Sequence, residues 1–360
     1  PALSVFDGLL RKAIEHITNS SLTDAQWLQA SLPIRDGGLG VRRVSSLALP
    51  AFLASAASTV SLQDAILANC QLSDCPFFSQ YCQNWSSAFG LLPDPIPSKQ
   101  SFWDHPGVQL DRATVEASFT SPFHRACFLA AASRHSGDWL FALPIASCGL
   151  KLDDEAVRVS VGLRLGLKLC EPHQCQCGAQ VDVHGLHSFV CKQASGRSAR
   201  HHALNDVVAR AFSAAGTPVT KEPAGLCRTD GKRPDGLSLI PWQAGKPVVW
   251  DVTVICTTAV SYIDHSAREA GAAAEIAATR KTAKYSNLAA QYSFCPVAVE
   301  THGPLNEEAR QLLCDVGRRV AASSGDDREV SFLFQRISVV VQRFNSVLLH
   351  NSFLVDDQPE

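Results

Sequence analysis

The sequence predicts an α/β fold, a mixed sheet flanked by helices, preceded by a mainly helical N-terminal region. Three observations carry this prediction. Residues 1–165 show apolar side chains at helical spacing, and residues 196–350 alternate between helical segments and segments rich in β-branched residues. Residues 166–195, which lie between them, hold a cluster of Cys and His. We therefore expect three parts, with boundaries after residues 165 and 195.

The N-terminal region is expected to be helical over residues 1–60, with a turn at 36–40 where three glycines and an aspartate limit regular structure. The apolar stripe that predicts the first helix consists of Val5, Phe6, Leu9, Leu10 and Ile14. Residues 90–110 are expected to form a loop, because prolines at 93, 95 and 97 interrupt any helix. Further helices are predicted at 47–57, 120–134 and 154–168.

The C-terminal region is predicted to follow the order α-β-β-β-α-β-α-α. Its first helix buries Leu204, Val208 and Phe212 and ends at Gly216. The expected segments are a helix at 199–215, strands at 219–222, 237–240 and 247–256, a helix at 267–288, a strand at 294–300, and two final helices. Asn306 is expected to cap the first of these two helices.

The composition is that of an ordinary globular protein, with 46% hydrophobic and 18% charged residues. No apolar run is long enough for a transmembrane helix, and no signal-peptide pattern begins the chain. The net charge is −2, but residues 192–235 hold eight Lys or Arg against four Asp or Glu. Such a local positive field attracts phosphate. Because the chain begins at Pro1 and contains no Met, we expect it to be an internal or C-terminal piece of a longer product.

Two aspartates are predicted to lie on neighbouring strands. Asp235 follows Pro234 at the start of one strand, and Asp251 lies within the apolar run 248–255 of the next. A carboxylate in such a run is costly to bury unless it is paired or binds a cation. Two carboxylates that converge at a sheet edge select Mg²⁺ or Mn²⁺ held against a phosphate. The alternative is a buried aspartate satisfied by backbone donors or an arginine.

Other side chains could complete this metal site. Glu222 ends the preceding strand and is a candidate third ligand, in competition with Asn205 and Asp206 on the helix before it. His201 could contact phosphate or support the site, or could be an exposed residue without a role. Lysines on the helix after Asp251 could bring a positive charge to the phosphate.

The Cys/His cluster has the spacing of a metal site. Its ligands are predicted to be Cys175, Cys177, His187 and Cys191, with Cys170 and His184 as alternates. Four such ligands hold a tetrahedral Zn²⁺ and help a short loop with few apolar residues to fold. Protein atoms would fill all four positions, so this zinc is expected to be structural. The odd number of thirteen cysteines fits a reducing compartment better than a disulfide framework.

These residues together resemble the PD-(D/E)XK nuclease superfamily, and more closely the restriction-like endonuclease of non-LTR retrotransposons. The resemblance covers roughly residues 165–350. It is carried by Arg233-Pro234-Asp235, Asp251, Arg200-His201 and the zinc knuckle upstream. Residues 27–33 and 37–41 are similar to the segment that follows the reverse-transcriptase thumb in such polyproteins. The resemblance implies an αβββαβ core for the C-terminal part.

The resemblance also implies roles for individual residues. Asp235 matches the aspartate of the PD motif, and Asp251 matches the acidic residue of the (D/E)XK motif. Thr253 stands where that motif has its lysine, which in some relatives lies on the following helix. Lys284 is therefore the first candidate for the catalytic lysine and Lys281 the second.

The function implied is a Mg²⁺- or Mn²⁺-dependent DNA endonuclease that nicks target DNA to prime reverse transcription in the nucleus. Its expected partners are DNA, element RNA and the reverse-transcriptase portion of the same polyprotein, and no membrane. DNA phosphates are expected to bind Arg197, Arg200, Lys232 and Arg233. The alternatives are a catalytically inactive zinc-knuckle remnant that binds nucleic acid, and a scaffold for the polymerase portion.

Overall fold

The computed structural model describes residues 2–67, 76–227 and 231–353. Two compact units divide the chain, the first comprising residues 1–33 and 38–118 and the second residues 34–37 and 119–360. Residues 119–165 thus belong to the same unit as the Cys/His cluster and the main sheet. The boundaries expected after residues 165 and 195 stay a prediction. Within the described ranges, no helix has both the length and the apolar content to cross a membrane.

The first unit is built from helices. They are α1 (Ala2–Ile17), α2 (Asp24–Ser31), α3 (Val44–Ser58), α4 (Val60–Leu67), α5 (Pro76–Phe89) and α6 (Gln100–Ala117). Trp85 and Trp103 meet edge to face in its core, with ring centroids 5.2 Å apart. The loop predicted over residues 90–110 is wrong from residue 100 onward. The proline-rich segment ends at Pro97, so α6 can begin shortly after it. The helix accommodates one further proline, Pro106.

The second unit combines helices with two small sheets. Its α-helices are α7 (Pro122–Ala131), α8 (Asp154–Leu165), α9 (Leu186–Val190), α10 (Gly196–Ala214), α11 (Ile263–Ser266), α12 (Ala272–Lys284), α13 (Glu307–Ser324) and α14 (Glu329–His350). The strands are β1 (His173–Gln174), β2 (Gln180–Val181), β3 (Val219–Lys221), β4 (Gly236–Ser238), β5 (Val248–Ile255) and β6 (Ser293–Glu300). The chain is therefore a mixed α/β protein that is mostly helical.

The main sheet has the strand order β3-β4-β5-β6. The first two pairings are antiparallel, and β5 pairs with β6 in parallel. Side chains alternate along β5, so that Trp250 and Val252 pack in the core with α10, α13 and α14. Ile255 on the opposite face packs against the alanines of α12. Asp251 has the same parity as Ile255 and therefore lies on the α12 face.

Two predictions of local structure need correction. The helix expected over residues 267–288 is shorter, since α12 begins only after Gly271, whose φ is 82°, and ends at Lys284. Asn306 does occupy the N-cap position of α13, but its side chain makes no capping bond. Its Oδ1 instead accepts a hydrogen bond from the amide of Ala298 at 2.9 Å. The asparagine therefore ties the start of α13 to β6.

Candidate active site and metal centre

The pairing of β4 with β5 brings the two predicted aspartates together. Gly236 pairs with Trp250, so Asp235, one residue earlier, lies beside Asp251. Only a glycine fits at 236, because a Cβ there would lie 1.9 Å from the Trp250 indole. Asp235 and Asp251 are only 9% and 3% exposed. The sheet therefore places two nearly buried carboxylates next to each other.

Asp251 is held by two donors from α12 and the turn after it. The Lys281 ammonium donates to Oδ2, and the Tyr285 hydroxyl donates to Oδ1 at 3.1 Å. The Lys284 ammonium donates to the Tyr285 hydroxyl at 2.9 Å. Lys281, the second of the two candidate lysines, thus bonds Asp251. Lys284, the first candidate, bonds the tyrosine hydroxyl that in turn bonds Asp251.

Asp235 lacks a comparable cationic partner. Its Oδ2 accepts a hydrogen bond from the Val252 amide at 2.5 Å. Burial, followed by repulsion from Asp251, raises the pKa of Asp235 to about 7. Two adjacent carboxylates with one lysine between them leave one negative charge poorly compensated. That donor set fits a divalent cation bound by oxygen.

His201, in the first turns of α10, faces the same carboxylate. Its Nε2 lies 3.1 Å from Oδ2 of Asp235, but the ring is not oriented to make a hydrogen bond. Burial lowers the pKa of His201, followed by the effect of His202 beside it. The lowered pKa favours the neutral imidazole, and both ring nitrogens are buried without a hydrogen bond from the described residues.

The side chains considered as third ligands are engaged in other contacts. Glu222 forms an ion pair with Arg233, which lowers the pKa of Glu222. Asp206 pairs with Lys221 at 2.6 Å. Asn205 is structural, because its amide bridges the Asp235 carbonyl at 3.0 Å and the Trp250 indole at 2.8 Å. A third ligand from this set stays a prediction.

A groove of about 420 Å³ lies next to the two aspartates. The described residues that line it include no acidic side chain and six basic or imidazole ones: Lys192, Arg197, Arg200, His201, His202 and Lys281. Val252, Thr253 and Val254 of β5 form another part of its lining. The groove therefore connects a positively charged surface to the strand that carries Asp251.

The four predicted phosphate contacts differ in their surroundings. Arg200 is only 2% exposed and donates to Asn345 at 3.4 Å. The prediction that Arg200 contacts DNA phosphate at the protein surface is corrected accordingly. Burial also lowers the pKa of Arg200 to about 10. Arg197 is partly exposed and donates to the Cys191 carbonyl at 3.3 Å. Lys232 and Arg233 are exposed, the latter in its pair with Glu222.

The Cys/His cluster forms a second candidate centre. Cys175, Cys177, His187 and Cys191 place one ligand atom each within 4.8 Å of all the others, and among the described residues no other group of three or more such side chains converges. The Sγ atoms of Cys175 and Cys191 are 3.9 Å apart. A tetrahedral zinc with bonds of about 2.3 Å would hold two sulfurs about 3.8 Å apart. The four residues could therefore bind zinc.

The local backbone builds this cluster around a tight turn. Gly178, with φ of 87°, lets its amide bond the Cys175 carbonyl at 2.7 Å. The backbone of Ala179 and then the His187 side chain lower the pKa of Cys177 to about 7. The two alternates lie outside the cluster. Cys170 donates to the Asp182 carbonyl, and His184 contacts the Leu167 carbonyl and the ring of Phe123.

Sequence reasoning missed Tyr285. The residue is 1% exposed and donates to Asp251, so it fixes the orientation of that carboxylate. The available signal was its spacing of four residues from Lys281, which places both side chains on one helical face. An aromatic residue at the end of an alanine-rich helix is otherwise most simply a core residue.

The comparisons with known proteins give one informative relationship. No protein-family model matches the chain. Over 347 residues the chain is 24% identical to the retrotransposable element SLACS 132 kDa protein of Trypanosoma brucei gambiense. This similarity supports a retrotransposon origin. The match covers 94% of the chain and 25% of that protein, so the chain spans about a quarter of the length of its relative.

Proposed function

We propose that this chain is the DNA endonuclease part of a retrotransposon protein and hydrolyses phosphodiester bonds with Mg²⁺ or Mn²⁺. The observation that carries the proposal is the juxtaposition of Asp235 and Asp251 on neighbouring strands, with Lys281 at Asp251. The order α10, β3, β4, β5, α12 and β6, with the short α11 before α12, and the distant relationship to a retrotransposon protein support it.

Each side chain of the site would have a separate role in the hydrolysis. Asp235 and Asp251 would hold the cation, and the raised pKa of Asp235 means that binding displaces a proton near neutral pH. The bound cation would activate water and offset charge on the phosphate. Lys281 would donate to a phosphate oxygen, replacing the lysine that the motif usually has at Thr253. His201, neutral near pH 7, can accept a hydrogen bond or a proton.

The groove beside the aspartates would hold the DNA backbone. Lys192 and Arg197 would bind phosphates along it and leave the scissile phosphate near Lys281. Zn²⁺ in the Cys/His cluster would have a structural role. A nick leaves a 3′-hydroxyl, which in this proposal primes reverse transcription in the nucleus by the polymerase portion of the same protein.

The proposal is tested by nicking of supercoiled plasmid in Mg²⁺ or Mn²⁺. We expect D251N and D235N to lose activity by more than roughly 100-fold, because each removes a cation ligand. K281A is expected to lose about 100-fold, whereas K284A, a lysine from the same helix, should lose less than about tenfold. A D251N protein that nicks at the wild-type rate would refute the assignment.

A non-catalytic function has one observation in its favour, the absence of a lysine at 253. In that alternative the chain binds nucleic acid through the groove and the Cys/His cluster. Binding measured at increasing salt should weaken with a slope set by the number of phosphate contacts in either case. Salt-dependent binding without any nicking in Mg²⁺ or Mn²⁺ would favour this alternative over the endonuclease.

A further inference from the structure

The helix that delivers Lys281 has no cap of its own. The N-cap residue of α12 is Gly271, which has no side chain and so makes no capping bond. The first N–H groups of any helix lack partners inside the helix and must find them elsewhere. In α12 one of these amides, that of Ala274, is directed at the sheet.

Glu300 supplies the missing partner. It is the last residue of β6 and is 0% exposed. Its Oε1 accepts a hydrogen bond from the Ala274 amide at 3.1 Å. Burial raises the pKa of Glu300 to about 7. A carboxylate so deeply buried is costly, and the positive end of a helix is one of the few settings that offsets that cost.

The bond fixes one end of α12, and Lys281 lies at the other. Ala274 precedes Lys281 by seven residues, a rise of about 10 Å along a helix. Glu300 pairs with Ile255, and Asp251 precedes Ile255 by four residues, about 13 Å along the strand. Helix and strands therefore lie side by side over this distance. Between the two ends the contacts are small side chains, Ala277 and Ala278 among them, which interlock weakly.

We propose that Glu300 is a positioning residue that holds α12 along the sheet and thereby places Lys281 at Asp251. The Glu300 carboxylate bonds α12, and Glu300 is not among the residues that line the groove, so its effect is transmitted through the helix. The kinetic part of this inference rests on the proposed endonuclease function. The structural part, the placement of the C-terminal end of α12, does not.

The experiment compares three full-chain variants. E300D shortens the side chain and withdraws the carboxylate from Ala274, whereas E300Q keeps the length and an acceptor oxygen. E275Q is the matched control: Glu275 lies in the same first turn, but it is exposed and its carboxylate accepts from the Glu307 amide. Hydrogen exchange of peptides over 272–285 and the kcat and KM of plasmid nicking are measured on each.

We expect faster exchange over residues 272–285 in E300D and a kcat lowered roughly 100-fold with the KM for DNA unchanged, since small misplacements of a catalytic group cost this much. E300Q should restore most of both readouts, and E275Q should match the wild type. Wild-type exchange and kcat in E300D would overturn the inference. If the wild type itself does not nick, the proposed function fails, and the exchange data alone decide whether Glu300 positions α12.

Discussion

Replacing Asp235 with asparagine should stabilise the metal-free protein. Asp235 is nearly buried, and Asp251 lies beside it with Lys281 donating to the Asp251 carboxylate. Asparagine keeps the size of the side chain and an oxygen that can accept from the Val252 amide. The substitution therefore removes the charge while retaining the packing.

The magnitude follows from the pKa. The folded protein raises the pKa of Asp235 from 3.8 to about 7, so below about pH 4 the carboxyl is protonated in both states and the shift has no effect. Between about pH 4 and 7 the folded state binds more protons than the unfolded state, so the free energy of unfolding of the wild type falls as pH rises. Three pKa units correspond to about 4 kcal/mol. D235N should thus exceed the wild type by up to about 4 kcal/mol at pH 8.

The assay is urea unfolding in the presence of EDTA at pH 4.5, 6 and 8. Adding Mg²⁺ at 100 times its Kd should then stabilise the wild type by about 2.7 kcal/mol and leave D235N unchanged. D206N is the control, since Asp206 is exposed and paired with Lys221, and it should change stability by less than about 1 kcal/mol at every pH. The reasoning is refuted if D235N is less stable than the wild type at pH 8 and the difference does not depend on pH.

Three further predictions concern other parts of the second unit. C177S should lose one bound zinc per chain, measured by elemental analysis, and lower the thermal midpoint; an unchanged zinc content would contradict the cluster as a site. G236A should destabilise the fold by at least about 1–3 kcal/mol in urea, because its Cβ would overlap the Trp250 indole, and a wild-type midpoint would contradict that contact. T253K should restore part of the nicking lost in K281A, and no recovery would show that position 253 cannot supply the charge.

The sequence predicts the elements of the main sheet because their signals are local. The β-branched run that forms β5, the glycine after Asp235 and the spacing of the Cys/His cluster each act within a few residues. The contacts of α12 could not be predicted in this way. Whether Lys281 or Lys284 reaches Asp251 depends on how the helix packs on Ile255, which is a tertiary property.

Arg200 is a residue whose exposure could not be predicted from the local sequence. Its position in a basic segment beside His201 predicts a surface contact for phosphate, yet it is buried against Asn345 of α14. Nothing within α10 distinguishes it from Arg197, which is partly exposed at the groove. The difference arises because α14 packs against α10, more than 100 residues later in the chain. Local charge can identify a basic segment, but only the packing decides which of its arginines face solvent.

The departure at Thr253 has a geometric explanation in this fold. Thr253 follows Asp251 by two residues and so lies on the same face of β5, the face that α12 covers. Lys281 of α12, the helix that packs on this face, donates to Asp251, so no lysine on β5 itself is required. In the proposed site the position of the lysine charge is then set by a helix rather than by strand register, so it depends on the contacts that fix the helix along the sheet. For this reason Glu300, at the far end of α12, should affect the Asp251–Lys281 contact more than residues nearer to it in sequence.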